Sequence, residues 1–240
     1  MSSLKEASIG KDTNTDRRRF VTRSVAAAIG IVGAGLFVSS ARAVTPALTF
    51  ADIPGSGDIK TLNYALSLED LEADLYAQAT MRLTGGGTNA LGTAITGLGL
   101  GKKEIDVRYV RQFGLVENQH RDFLRGAIVA AGGTAISPFK YDFGMQSLNR
   151  KGVMDLVYTA EKTGVSAYLG ATPFISRTYL RTAVAIQGTE ARHTAVIAAI
   201  LNQLFSEGLN VAPLASENGG RDLALTPDQV LAAVSPFIVT

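Results

Sequence analysis

The sequence predicts an all-α fold, most simply a four-helix bundle, from residue 58 onward. Four long segments carry apolar side chains at three- and four-residue steps, which is the spacing of one helix face. Breaks rich in glycine, or containing proline, separate these segments, and no stretch alternates convincingly as a strand would. Together these observations favour long helices packed around one apolar core.

The first two helices are separated by a glycine-rich connection. The first is predicted over about Asp58–Leu83, with Glu69 on its apolar face. Residues 84–101 contain seven glycines and therefore predict a flexible loop. The second helix is predicted over about Lys103–Ala131, where a pair of glycines ends it.

The third and fourth helices are predicted over about Met145–Leu169 and Ser176–Phe205, with a break at Pro173. Near the end of the chain, Thr226–Gln229 reads Thr-Pro-Asp-Gln, a capping box with proline in the first turn. This motif predicts a short C-terminal helix over 227–234.

The connection at 132–144 decides the topology of the bundle. A helix of about 28 residues is about 42 Å long. About 13 extended residues reach roughly 43–47 Å. The connection can therefore travel the length of the bundle as a long crossover, although a loose hairpin is equally compatible with its length.

The N-terminal segment predicts an export signal. Arg17, Arg18 and Phe20 resemble the twin-arginine export motif, and a weakly apolar run follows at 25–38. A small-x-small pattern then predicts cleavage after Ala43, with no stable membrane span left in the mature chain. An uncleaved N-terminal anchor is the alternative. The expected location is the periplasm or another extracytoplasmic compartment, reached by the twin-arginine pathway.

These patterns divide the chain into four parts. They are a signal peptide at 1–43, a linker at 44–57, the bundle at 58–206 and a C-terminal extension at 207–240. The signal carries seven basic and three acidic side chains, so the rest of the chain, with 16 basic and 18 acidic residues, is slightly acidic. No basic stripe remains to bind nucleic acid. Because there is no cysteine, disulfides, thiolate zinc sites and iron–sulfur clusters are excluded.

The only two histidines of the chain stand in the same local motif. His120 follows Glu117 by three residues, and His193 follows Glu190 by three residues. Positions three apart share a helix face, so each pair can offer a carboxylate oxygen and an imidazole nitrogen to one point. Only nine of the 240 residues are glutamate, so two such pairs rarely arise by chance. Exposed helix pairs or histidines packed in a core are the alternative.

The other two helices offer further carboxylates. The third predicted helix contains one glutamate, Glu161, and the first contains Glu69 and Glu72. Tyr76 follows Glu69 by seven residues, as Tyr168 follows Glu161. This internal repeat favours Glu69 as the site residue and keeps Glu72 as the alternative. Two Glu-x-x-His motifs with one glutamate from each of two other helices are typical of carboxylate-bridged dinuclear metal sites.

The order of these residues resembles the ferritin-like di-iron superfamily, which includes ferritins, bacterioferritins and rubrerythrins. The segment 62–76 is similar to the first helix of its exported, desiccation-associated branch, and the resemblance covers about residues 50–206. It implies that the glutamates of the two Glu-x-x-His motifs bridge two metals. The histidines, Glu69 and Glu161 would be terminal ligands. Tyr76 and Tyr168 would donate hydrogen bonds to ligands, with ordinary core packing as the alternative for both tyrosines.

The expected ions are two irons, with manganese as the alternative, because carboxylate and imidazole ligands without sulfur suit both metals. The resemblance implies an oxidoreductase acting on Fe(II), O2 or peroxide. The alternatives are manganese catalase-like activity, a stress or desiccation protein whose metals only stabilise the bundle, and iron storage in a cage of subunits. A homo-oligomer is compatible with each of these functions.

Overall fold

The computed structural model describes residues 48–239, and their dominant feature is a bundle of four long helices followed by a short fifth helix. The helices are α1 (Gly57–Leu83), α2 (Ile105–Ala130), α3 (Arg150–Ala171), α4 (Arg177–Phe205) and α5 (Pro227–Val234). The predicted all-α fold is confirmed. The export signal, with Arg17, Arg18, Phe20 and Ala43, lies outside the described residues.

The sequence predicted that the third helix begins at about Met145, but in the structure it begins at Arg150. Residues Met145–Ser147 form a separate 3-10 turn, and extended backbone at Leu148 breaks the helical path. The side chain of Asn149 then caps α3, because its Oδ1 accepts a hydrogen bond of 2.8 Å from the Gly152 amide. The apolar pattern runs through this break, which is why the pattern alone extended the helix too far.

The connection from α2 to α3 is a crossover that runs along α1. Near its start, the Asn63 side chain donates to the carbonyl of Thr134 at 3.0 Å. Further along, the Tyr141 hydroxyl donates to the carbonyl of Ser67 at 3.2 Å. At its end, Arg82 Nε donates to the carbonyl of Leu148 at 2.7 Å. Successive residues of the connection therefore contact successive positions of α1, from Asn63 to Arg82. The connection is a long crossover and not a loose hairpin. As a result, α3 begins beside the C-terminal end of α1 and runs antiparallel to it.

Four two-residue strands form two antiparallel pairs that the sequence did not predict. The glycine-rich connection contains β1 (Gly87–Thr88) and β2 (Ala94–Ile95). The crossover contains β3 (Lys140–Tyr141), which pairs with β4 (Ile238–Val239) near the C-terminus. Two residues are too few to show alternation, so periodicity cannot reveal such strands.

The C-terminal extension packs onto the bundle. The predicted capping box forms: Thr226 N donates to Gln229 Oε1 at 2.9 Å, and Gln229 N donates to Thr226 Oγ1 at 3.3 Å. Val230 and Leu231 of α5 are buried in the main core. This short helix therefore covers part of the apolar surface that the four long helices leave open.

The core is divided into two apolar clusters along the bundle. The larger contains Tyr76, Phe113 and Val157, and the smaller contains Leu124 and Tyr168. Buried polar side chains interrupt this apolar packing, and the larger cluster has members on both sides of them, such as Tyr64 and Leu83. Among residues 48–239, no helix has the length and apolar character needed to cross a membrane.

Candidate metal centre

Each of the four long helices contributes to one buried polar layer at the middle of the bundle. Helix α1 supplies one glutamate, α3 supplies another, and α2 and α4 each supply a glutamate and a histidine one turn apart. All four glutamates are fully buried. Of the two histidine side chains, the one on α2 retains 13% exposure and the one on α4 retains 5%. The six residues are Glu69, Glu117, His120, Glu161, Glu190 and His193.

One group of donor atoms surrounds the His120 ring. Its Nδ1 lies 2.9 Å from Glu117 Oε2 and 3.3 Å from Glu190 Oε1. The same nitrogen lies 3.4 Å from Glu69 Oε2. Donor atoms of these four residues all lie within 4.8 Å of one another, so a single ion between them could reach all four.

A second group surrounds the His193 ring. Its Nδ1 lies 2.8 Å from Glu117 Oε1 and 3.3 Å from Glu161 Oε1. These residues and Glu190 again have donor atoms within 4.8 Å of one another. Glu117 and Glu190 belong to both groups, and Glu117 turns one oxygen toward each histidine. The two groups of donor atoms therefore adjoin and share two carboxylates.

Several donor atoms of this layer lack an aligned hydrogen bond, although some lie at hydrogen-bond distance from one another: His193 Nδ1 is 2.8 Å from Glu117 Oε1. Among the residues that the structure describes, seven buried side-chain nitrogen or oxygen atoms have no hydrogen-bond partner. Six of the seven belong to this layer: Glu69 Oε2, Glu117 Oε1, Glu161 Oε2, both carboxylate oxygens of Glu190, and His193 Nδ1. Leaving a buried polar atom unpaired is costly, and a bound cation would satisfy all six together. The donor set therefore fits a pair of metal ions.

Burial and crowding shift the titration of these groups in opposite directions. Burial raises the pKa of Glu69 to about 8 and that of Glu161 well above its usual range. Burial acts the same way on Glu117, but the neighbouring imidazoles outweigh it and lower the pKa of that carboxyl. Burial lowers the pKa of His120, but the surrounding carboxylates prevail and raise it to about 12. These shifts favour the neutral forms of Glu69 and Glu161 and the charged form of His120.

Glu72, the alternative to Glu69, is also buried but lies beside the clustered donors. Burial, followed by the charge of Glu190, raises its pKa well above the usual range. Space for its carboxyl comes from Gly164, where a Cβ would lie only 2.9 Å from Glu72 Oε1. In the internal repeat, Glu72 lies three residues after Glu69, and Gly164 lies three residues after Glu161. The two halves of the repeat therefore differ at this position, where one has glutamate and the other has glycine. The centre thus contains a fifth buried carboxyl on one side only.

Two tyrosines donate hydrogen bonds to the layer from opposite sides. The hydroxyl of Tyr76 donates to Glu161 Oε1. The hydroxyl of Tyr168 donates to Glu69 Oε1 at 2.5 Å. The tyrosine on α1 therefore bonds to the glutamate on α3, and the tyrosine on α3 bonds to the glutamate on α1. These contacts agree with hydrogen-bond donors that orient the carboxylates, and not with apolar packing alone.

Sequence reasoning missed one contact of the site. The Phe113 ring stacks on the imidazole of His193, with ring centroids 3.8 Å apart and planes inclined by 21°. Phe113 lies one turn before Glu117 on α2, which places it on the same helix face. Its position relative to the motif was a usable signal, but its partner on α4 was visible only in the folded chain.

Comparison with known proteins agrees with this architecture. Residues 57–203, more than half of the chain, match the family profile described as the ferritin-like domain. No curated protein sequence matches the chain. The matched region begins with α1 and ends in the last turn of α4, so it contains all six clustered residues. The chain belongs to the ferritin-like domain family.

Proposed function

We propose that the chain binds two metal ions, in the first instance iron, in the buried layer and uses them in redox chemistry with O2 or peroxide. The observation that carries this proposal is the set of six unpaired buried donor atoms around two adjoining positions. A layer that served only packing would pair these atoms with one another or replace them with apolar groups.

The ligand chemistry supports iron first and manganese second. The donors are carboxylate oxygens and imidazole nitrogens without sulfur, a set that both metals accept. Four carboxylates balance the charge of two divalent ions inside a core that excludes bulk water. Zinc prefers a closed tetrahedral site with its own four ligands, whereas here Glu117 and Glu190 belong to both positions.

The bound pair would supply electrons to the oxidant. With the ions held by the six clustered residues, this chemistry would be a two-electron reduction of O2 to hydrogen peroxide by two Fe(II), with two protons taken up from solvent. The chain's own groups hold the ligands in place: Tyr76 and Tyr168 orient Glu161 and Glu69 by hydrogen bonds. The apolar side chains packed around the layer keep water away from it.

The first experiment measures metal content and oxidation together. Metal-free protein is loaded anaerobically with Fe(II), bound iron is counted, and the optical spectrum is followed after O2 or peroxide is added. We expect about two irons per chain, the number that a dinuclear bundle site holds. A His120→Ala/His193→Ala double variant should lose both the iron and the spectral change. The control is Gln119→Ala/Arg192→Ala, which alters the exposed residue just before each histidine.

Each outcome selects one function. Iron that binds and is oxidised supports the redox proposal. Manganese that binds and supports peroxide decomposition would favour manganese catalase-like activity. Ions that bind without reacting, and whose removal unfolds the bundle, would favour a stress or desiccation protein with structural metals. No binding by the folded chain would overturn the proposal.

We also propose that the protein works outside the cytoplasm, as the exported branch of the superfamily does. The support is the motif at Arg17, Arg18 and Phe20 with predicted cleavage after Ala43. Export of a folded protein would let the centre be loaded before transport. Cell fractionation tests this: an Arg17→Lys/Arg18→Lys variant should stay uncleaved in the cytoplasm. Unchanged export of that variant would contradict the twin-arginine assignment.

A further inference from the structure

An apolar cavity lies inside the bundle on one side of the metal centre. Ala65 of α1, Leu124 of α2, Tyr168 of α3, and Ala183 and Ile186 of α4 line it. Among all the residues that line it, none is charged. Its inner space is narrow and accepts only a molecule a few atoms long unless side chains move.

The cavity lies next to the candidate metal centre along the bundle. Ala65 lies four residues before Glu69, and Ile186 lies four residues before Glu190. Four residues of helix rise about 6 Å, so the cavity begins one turn from the ligands. The Tyr168 ring forms part of the wall while its hydroxyl donates to Glu69 Oε1 at 2.5 Å. A molecule in the cavity is therefore separated from the ligand shell by little more than this tyrosine.

The opposite side of the centre is closed by larger side chains at equivalent positions. Val157 precedes Glu161 by four residues, where the cavity side has Ala65 before Glu69. Phe113 precedes Glu117 by four residues, where the cavity side has Ile186. Val157 and Phe113 are buried in the larger apolar cluster. The two halves of the internal repeat thus match in their clustered residues but differ in side-chain size four residues before each glutamate, where the cavity side has the smaller residues.

We propose that this cavity holds O2 and that O2 reaches the metal centre from the Tyr168 side. This inference rests on the proposed redox function and names the route of the oxidant. The lining is mostly apolar and carries no charged side chain, although three threonines and the unpaired hydroxyl of Tyr64 belong to it. A charged molecule would therefore lose its water without gaining an ionic partner. Dioxygen is small, uncharged and apolar, so it can enter a mostly apolar cavity without giving up hydrogen bonds.

Xenon tests the cavity without any metal chemistry. Apolar protein cavities take up xenon, and xenon marks places that O2 can occupy. Crystals of the metal-free protein are pressurised with xenon and the density is examined. We expect a xenon atom between Ala65, Leu124 and Ile186. Absence of xenon from that position would overturn the proposal.

Filling the cavity tests whether it leads to the centre. Ala183→Val installs the residue that the closed side has at the equivalent position, Val110. It should remove the xenon site and slow Fe(II) oxidation by O2 several-fold, while bound iron and oxidation by peroxide stay unchanged. The control is Ala185→Val, the same change two residues along α4 at an exposed position. If Ala183→Val does not fold, Ile186→Phe, which copies Phe113, replaces it.

The results separate this inference from the proposed function. Xenon binding with an unchanged O2 rate in Ala183→Val would show that the cavity is not the route, and would overturn the inference. An equal slowing of the O2 and peroxide reactions would also overturn it, because it would indicate damage to the centre. If the folded chain binds no iron, the proposed function is wrong whatever the cavity does. Xenon binding would in that case still show whether the cavity can hold a small apolar molecule.

Discussion

At the scale of single residues, two tyrosine hydroxyls hold buried glutamates of the polar layer. Each hydroxyl donates to one carboxylate oxygen, of Glu161 or Glu69, whose other oxygen has no hydrogen-bond partner. Both tyrosines are buried, and burial raises both pKa values well above the usual range, so they act as neutral donors. Losing one hydroxyl would leave a carboxylate oxygen unpaired in the core.

The Tyr168→Phe variant should bind metal more weakly than the natural chain. Loss of an outer hydrogen bond to a ligand typically costs about 10- to 100-fold in metal affinity, and we expect a loss in that range. Tyr76→Phe should behave alike, because its hydroxyl has the equivalent role. Chelator competition measures the affinity. Tyr158→Phe, on the same helix but partly exposed, is the control. Unchanged affinity in both site variants would mean that the tyrosines only fill space.

At the scale of elements, close backbone contact attaches the C-terminal extension to α3. Leu225 N donates to the carbonyl of Ser166 at 3.1 Å. A Cβ on Gly170 would lie 1.6 Å from the carbonyl oxygen of Leu225. The glycine is therefore required for the approach, and the approach places α5 over the core.

The Gly170→Ala variant should loosen this attachment. The added methyl group must displace the backbone at Leu225, and overpacking of this kind costs about 1–3 kcal/mol of unfolding free energy. We expect a lower melting temperature and faster proteolysis between residues 207 and 226. Gly126→Ala on α2 is the matched control: nothing lies within 4 Å of its Cβ, so it should be neutral or slightly stabilising. Equal behaviour of the two variants would contradict the role given to Gly170.

The sequence predicted those features that depend on local spacing. Helix positions, the capping box at Thr226 and the shared face of each Glu-x-x-His pair follow from periods of three and four residues. Features that depend on distance between helices were out of reach. One such feature is the space that Gly164 leaves for the Glu72 carboxyl. Another is the cavity beside Ala65, which has a smaller side chain than Val157 at the equivalent position of the repeat. Both exist only once the helices are packed together. The predicted start of α3 was wrong because the apolar residues on both sides of Asn149 continue the helical spacing. A single capping side chain does not interrupt that spacing.

At the scale of the whole molecule, a group of buried polar side chains interrupts the apolar core. These carboxyls and imidazoles come from all four long helices. Burying them is unfavourable unless cations or protons neutralise the charge. The stability of the entire bundle is therefore tied to what occupies this layer.

Without metal, the bundle should become less stable as the pH rises from about 5 to about 8. Burial raises the pKa of Glu69 from 4.5 to about 8, and those of Glu72 and Glu161 well above 4.5. In this interval the folded chain keeps protons that the unfolded chain has released, so unfolding is favoured with each step upward in pH. His120, whose pKa rises from 6.5 to about 12, contributes with the same sign. The lowered pKa of Glu117 matters only below 4.5.

Bound divalent ions should remove this dependence, because they replace the protons that neutralise the layer. Thermal denaturation of chelator-treated and metal-loaded protein across this pH interval measures the difference. The melting temperature of the metal-free chain should fall with pH, and that of the loaded chain should not. Glu69→Gln should make the slope of the metal-free chain shallower without abolishing it, since an amide cannot titrate but Glu72, Glu161 and His120 still can. Glu104→Gln at an exposed position is the control and should leave the slope unchanged. A flat curve for the metal-free natural chain would mean that the layer stays neutral by other means, and that metal is not what the buried carboxylates require.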